Sequence, residues 1–140
     1  MVAFSFTFPG MYASLSEIAG VVKDKSLEAG LSETSINAVE CAVDEACSNI
    51  IEHAYGGEGK GEIYLNIEII PEGIKIMITD HGKSFRPEDV EEPNIQAPLS
   101  HRKASGLGLY MMKKCMDDVS FDFQEGCNTL TMVKFKNSGC

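Results

Sequence analysis

A chain of 140 residues, 44% of them hydrophobic and 24% charged, is long enough for one domain with a real core and has the make-up of an ordinary soluble globular protein. Its formal net charge of −9 leaves no basic stripe to displace counterions from phosphates, so direct nucleic-acid binding is disfavoured, while a basic protein partner is compatible with it. No apolar run approaches the ~18 residues of a membrane span, and five scattered cysteines with no C-x-x-C pair form neither a disulfide framework nor a zinc pattern, which points to a reducing cytoplasm.

In chain order, Phe4, Phe6 and Phe8 alternate with Ser5 and Thr7 as a half-buried strand closed by Pro9-Gly10. The opening residues lack a basic n-region and read as strand rather than signal peptide. Ser14 or Ser16 can cap a helix to about Ala29, with Gly30 as the stop. Ser32 then caps a longer helix to about Tyr55, whose apolar stripe is Ile36, Val39, Val43, Ala46, Cys47, Ile50 and Ala54. Ile63, Leu65, Ile67 and Ile69 alternate with Glu62, Tyr64, Asn66 and Glu68, and Pro71-Glu72-Gly73 turns the chain into a second strand of Ile74, Ile76 and Ile78 that ends at Asp80.

The polar stretch from Gly82 to Ser105 carries Pro87, Pro93 and Pro98 and has the length of a functional lid. A third helix is expected from Gly106 to about Asp117. Strands Val119–Gln124 and Thr129–Lys136 follow, joined by a turn at Glu125–Asn128, with a frayed tail from Asn137 to Cys140. The order β-α-α-β-β-lid-α-β-β departs from the alternation of a doubly wound sheet. It predicts an α+β two-layer sandwich with three helices on one face of a mostly antiparallel, mixed sheet, in a single domain.

Three motifs can carry chemistry. Glu45 and Asn49 fall four residues apart on one helix face, where an amide oxygen suits a hard Mg²⁺ and a carboxylate suits proton acceptance from a hydroxyl. By itself the pair is also what any solvated helix face presents, and His53 continues that face. Asp80-His81-Gly82 puts a carboxylate at a strand end, able to accept from an exocyclic amine, with Gly82 leaving room for a planar base; alone it is equally a hairpin-exit turn. Gly106-Leu107-Gly108-Leu109 opens a helix whose backbone N–H groups and dipole can face phosphate, although a lone G-x-G is weak. A Walker P-loop and a Rossmann fingerprint are both excluded by spacing.

Taken in order, the E-x-x-x-N helix, the strand ending in D-x-G, the proline-rich lid and the G-x-G-L helix resemble the GHKL ATPase superfamily, and nearly the whole chain takes part. Within it, the chain looks most like the small stand-alone serine kinases that act as bacterial anti-sigma factors, and the resemblance includes the stretches Gly106–Val119 and Asn128–Lys134. The resemblance implies a Bergerat-type fold, ATP and ADP as nucleotides, Mg²⁺ as cofactor and a homodimer. Its implied protein partners are a sigma factor and an antagonist protein that is phosphorylated on serine.

The resemblance makes Glu45 the general base, Asn49 the Mg²⁺ ligand and Asp80 the adenine acceptor with Gly82 shaping the base pocket. It places Gly106 and Gly108 at phosphate, at the end of a lid spanning about 83–105, and Thr129 beneath the adenine. Ser84 and Ser105 depart from glycines usual in the family and cost backbone freedom near the lid. Arg102 and Lys103 are as consistent with solvated loop charges as with γ-phosphate contacts. Two rival readings stand beside the kinase: a catalytically silent nucleotide-binding module that sequesters a partner, and the catalytic half of a histidine kinase. No helical pair bearing a phospho-accepting histidine precedes the domain, which disfavours the last.

Overall fold

The computed structural model describes residues 2–83, 112–124 and 126–136. Its elements are β1 (Val2–Pro9), α1 (Ser14–Glu28), α2 (Glu33–Asn49), a π-helical turn (Ile50–Ala54), β2 (Glu62–Ile70), β3 (Gly73–Asp80), β4 (Asp118–Gln124) and β5 (Cys127–Phe135). Residues 112–115 are helical as well. The strands form one sheet in the order β1-β2-β3-β5-β4, and every pairing among the described residues is antiparallel.

Period-two patterning builds one apolar face. Ile63, Leu65 and Ile67 of β2, Ile74, Ile76 and Ile78 of β3, and Leu130 and Met132 of β5 are all buried. The helices answer with Ile18 and Val22 from α1 and Ile36, Val39, Val43, Ala46 and Cys47 from α2. Each Ile, Leu, Val or Met side chain removed from water in this way contributes roughly 1.5–3 kcal/mol. The other face of the sheet carries Ser5, Asn66, Thr79, Thr129 and Asp122, as expected of an antiparallel sheet with one solvated side.

Local signals explain most boundaries. Ser32 caps α2, its hydroxyl accepting from the Ser35 N–H at 3.2 Å. Gly30 at φ +84° ends α1, where the Leu31 N–H reaches back to the Ser26 carbonyl at 3.1 Å. The start of α1 differs from expectation: its N-cap is Ala13, with no side-chain cap. The Ser14 hydroxyl instead donates to the Pro9 carbonyl at 2.8 Å, fastening the helix to the end of β1.

Two further departures shape the site. The helix expected to run to Tyr55 widens after Asn49 into a π turn, in which the Tyr55 N–H donates to the Ile50 carbonyl at 2.9 Å, five residues back. Strand β5 begins at Cys127 rather than Thr129, so Asn128 is a strand residue paired with Asp80 instead of part of the turn. Lys134 on β5 is 1% exposed; its Nζ donates to the Cys115 carbonyl at 2.7 Å, a cation at the end of the helical segment that satisfies both groups.

Candidate functional site

A cleft opens between the end of α2 with its π turn and the ends of β3, β4 and β5. It encloses about 590 Å³ of empty space, part of it open to solvent. Its walls are largely apolar: Ile50, Ala54, Ile78, Met112, Phe121, Phe123 and Leu130. Asn49, His53, Asp80, Lys83, Asn128 and Thr129 supply the polar atoms. A flat apolar slot with a few convergent polar groups is what a planar heterocycle requires.

Asp80 is 5% exposed and held from two sides. Its Oδ1 accepts from the Gly82 N–H at 2.9 Å and from Asn128 Nδ2 at 2.9 Å. The first bond closes a side-chain turn at the strand exit. Among the described residues Oδ2 accepts no hydrogen bond, so it is the oxygen left for a ligand. Asn128 Nδ2 also lies 3.2 Å from the Gly82 carbonyl and 3.4 Å from that of Lys83, so one amide gathers the strand end and its exit.

That exit is sewn to the helix side as well. The Lys83 N–H donates to the Ala54 carbonyl at 2.8 Å. The Tyr55 hydroxyl donates to the Glu62 carbonyl at 2.5 Å and accepts from the His81 N–H at 3.1 Å. Burial pushes the Tyr55 hydroxyl pKa up, with Asp80 adding to the rise. Gly82 is needed here for close approach: a Cβ would stand 2.5 Å from the Ala54 carbonyl oxygen. The small size of Gly82 seats the strand exit against the π turn.

Asn49 lines the cleft, and Glu45 lies one turn earlier, half-buried beside it and outside the lining. Burial raises the Glu45 pKa first, and the nearby carboxylates of Glu52 and Asp44 raise it further. A hydrogen bond from Asn49 and the proximity of His53 act in the opposite direction. Glu45 and Asn49 thus stand one turn apart on α2, with the Glu45 carboxyl held above its ordinary value. No three His, Cys, Asp or Glu side chains cluster as a metal cage among the described residues. A neutral amide oxygen at the cleft fits Mg²⁺, which takes one or two protein ligands and completes its shell with water and substrate phosphates.

Thr129 borders the cleft, but its hydroxyl lies 3.2 Å from that of Thr79, on the solvated side of the sheet. Strand alternation gives the place beside Asp80 to Asn128, a residue the sequence reading missed because it assigned Asn128 to a turn. Gly106, Gly108, Ser84, Ser105, Arg102, Lys103 and the lid beyond Lys83 lie outside the described residues.

Fold and cleft together define a nucleotide-binding α+β domain. The histidine kinase-like ATPase domain model matches residues 8–134. Among curated proteins the chain is similar to the serine-protein kinase RsbW of Bacillus velezensis, 30% identical over 112 residues, which span 77% of this chain and 69% of the relative. It is also similar to that of Bacillus cereus strain ZK / E33L, 34% identical over 110 residues, spanning 76% and 68%. Among solved structures, the RsbU and RsbW domains of Rv1364c from Mycobacterium tuberculosis superpose with a TM-score of 0.69 at 15% identity. That match covers 99% of this chain and 34% of the mycobacterial one, so the chain spans about a third of that protein. The catalytic domain of histidine kinase ThkA gives 0.57 at 16% identity, covering 97% and 99%. At such identities the two structures speak to the fold alone. The chain belongs to the histidine kinase-like ATPase domain family and, within it, to the serine-protein kinases of the RsbW type.

Proposed function

We propose that this chain uses Mg-ATP to phosphorylate a serine of a small antagonist protein and acts as an anti-sigma regulator that holds a sigma factor. The observation that carries this reading is the pairing of a buried carboxylate, with one oxygen tied and one free, on the cleft wall with an acid–amide pair one turn apart at its rim. Asp80 Oδ2 accepts from the adenine amine while Ile50, Ile78 and Leu130 enclose the ring. Asn49 would hold Mg²⁺, which when bound would supply charge neutralisation at the nucleotide phosphates.

Glu45 takes the proton of the substrate serine hydroxyl as that oxygen bonds to the γ-phosphorus. The bond from the γ-phosphorus to the bridging oxygen breaks, and ADP keeps the electron pair. The raised Glu45 pKa serves this role by keeping the base strong enough to accept a hydroxyl proton in the transition state. A single domain over residues 1–140, a nucleotide lid over about 83–105 with Gly106 and Gly108 at phosphate, a homodimer and a cytoplasmic location belong to the same proposal. No helix among the described residues is long and apolar enough to cross a membrane. The placement of Glu45 one helical turn from Asn49, which lines the cleft, favours this chemistry over a silent sequestering module.

The test is transfer of labelled γ-phosphate to the antagonist protein by wild type and Glu45→Ala. Loss of general-base assistance should slow transfer by about 10²–10⁴-fold while ATP binding persists. Transfer at the wild-type rate by Glu45→Ala would remove Glu45 from the mechanism.

A further inference from the structure

The residue that the cleft holds beside Asp80 is Asn128, and its environment is unusual for an asparagine. It is 5% exposed, and its Nδ2 is committed to Asp80 Oδ1 at 2.9 Å. Its Oδ1 is buried with no hydrogen-bond partner among the described residues. The amide cannot be turned over to relieve this, because an oxygen facing Asp80 Oδ1 would set two acceptors against each other. A buried acceptor left unpaired costs about 1–3 kcal/mol, so a fold that keeps one beside a cleft has reason to pair it on binding.

The donor that fits is an exocyclic amine. Such a group has two N–H bonds diverging in one plane, and Asp80 and Asn128, which both line the cleft, sit directly opposite in register on neighbouring strands. We propose that Asn128 sets the base specificity of this cleft. Its Nδ2 fixes the Asp80 carboxylate so that Oδ2 is left for ligand, and its Oδ1 serves as the second acceptor for the amine of a 6-aminopurine. A 6-oxopurine presents a carbonyl to both acceptors and is rejected, because polar groups on each side are left unpaired.

The same amide gathers the Gly82 and Lys83 carbonyls, so the wall is set before nucleotide arrives. Thr129, one residue on, has its hydroxyl committed to Thr79 on the other side of the sheet and leaves this role to Asn128.

This inference rests on the reading of the cleft as an ATP site, and the experiment separates the two. Calorimetric titration compares ATP with inosine triphosphate, which differs by a carbonyl in place of the amine, on wild type, Asn128→Ala, Asn128→Ser and Asn128→Asp. Wild type should favour ATP. Asn128→Ala and Asn128→Ser should reduce the ATP-to-inosine-triphosphate affinity ratio by about 5–150-fold, the equivalent of one unsatisfied buried group.

Asn128→Asp keeps the side-chain shape and guards against a variant that fails to fold. It sets a second carboxylate against Asp80, so ATP affinity should be poor at about pH 8. It should recover towards about pH 5.5, as a proton shared by the two acids replaces the lost Nδ2–H. Wild-type selectivity in all three variants, or a pH-independent Asn128→Asp, overturns the role of Asn128 and leaves the ATP site standing. A wild type that binds neither nucleotide overturns the ATP site and this inference with it.

Discussion

The two ends of the cleft are built differently. At the sheet end, Asp80 and Asn128 are buried, cross-bonded, and tied through Gly82 and Lys83 to the π turn. At the helix end, Glu45 and Asn49 are half-buried, and Glu45 sits among charges that push its pKa in opposite directions. The first is buried and cross-bonded within the fold; the second stays partly exposed. On the proposed function, recognition would be preorganised and chemistry left open to the partner.

The sharpest way to break this contrast is to truncate one group from each end. Asp80→Ala leaves the Gly82 N–H and Asn128 Nδ2 without their shared acceptor, so the fold should lose about 1–3 kcal/mol. With it should go the thermal shift that Mg-ATP gives wild type, about 2.7 kcal/mol at one hundred times Kd. Asn49→Ala, at the open end, should change stability by no more than about 0.5 kcal/mol while losing the magnesium-dependent part of that shift. Thermal unfolding with nucleotide, with and without Mg²⁺, reads both. Equal destabilisation by the two variants would erase the distinction between the ends.

A second variant probes the seam between the ends. Gly82→Ala sets a Cβ 2.5 Å from the Ala54 carbonyl oxygen, and because the obstacle is backbone, the strand exit or the π turn must shift. Overpacking of this kind costs about 1–3 kcal/mol, and denaturant unfolding should show it together with weakened nucleotide binding. Unchanged stability would mean the seam is slack.

The core behind the helix end gives a smaller signal. Cys47 is fully buried, and burial pushes its thiol up to about 12. It should resist thiol reagents in the native state, while exposed Cys41 reacts at once. Because the folded value lies above the unfolded one, Cys47 supports the fold fully below the unfolded pKa. That support should be lost as pH rises from about 9 towards about 12. Fast labelling of Cys47 at neutral pH would show that the α2 end opens readily.

Legibility in the sequence followed the range of the interaction. The β2–β3 hairpin, the Ser32 cap, the Gly30 stop and the Glu45–Asn49 spacing are encoded within a few residues, and the structure has each where local chemistry places it. The Asp80–Asn128 bond links residues 48 apart. Nothing near Asn128 marks it as a strand residue; the Glu125-Gly126-Cys127-Asn128 string carries turn composition, and pairing with β3 overrides it. The π turn was equally hidden, since the apolar stripe continues through Ile50 and Ala54 as in a regular helix. The close approach of Gly82 to Ala54 follows from that turn and was hidden with it.

The finest test of the open end is electrostatic. Glu45 is raised by burial and then by Glu52 and Asp44, and it is lowered by Asn49 and His53. A proposed base works only when ionised, so phosphotransfer should fall on the acid side as pH drops through this raised pKa. Glu52→Gln removes one raising charge without touching the cleft wall, so the acid limb of the pH–rate profile should move to lower pH, with the plateau rate unchanged. Stability moves by the opposite logic. A carboxyl raised on folding favours the native state below its unfolded pKa and loses that contribution as pH rises, so removing the neighbouring charge should slightly stabilise the protein at neutral pH. Because Glu45 is half-exposed, salt screens the Glu52 effect, and the shift in the acid limb should shrink at high ionic strength. An acid limb that stays in place at low salt would mean that burial alone sets Glu45, and that the acidic neighbours around the helix end serve the surface rather than the site.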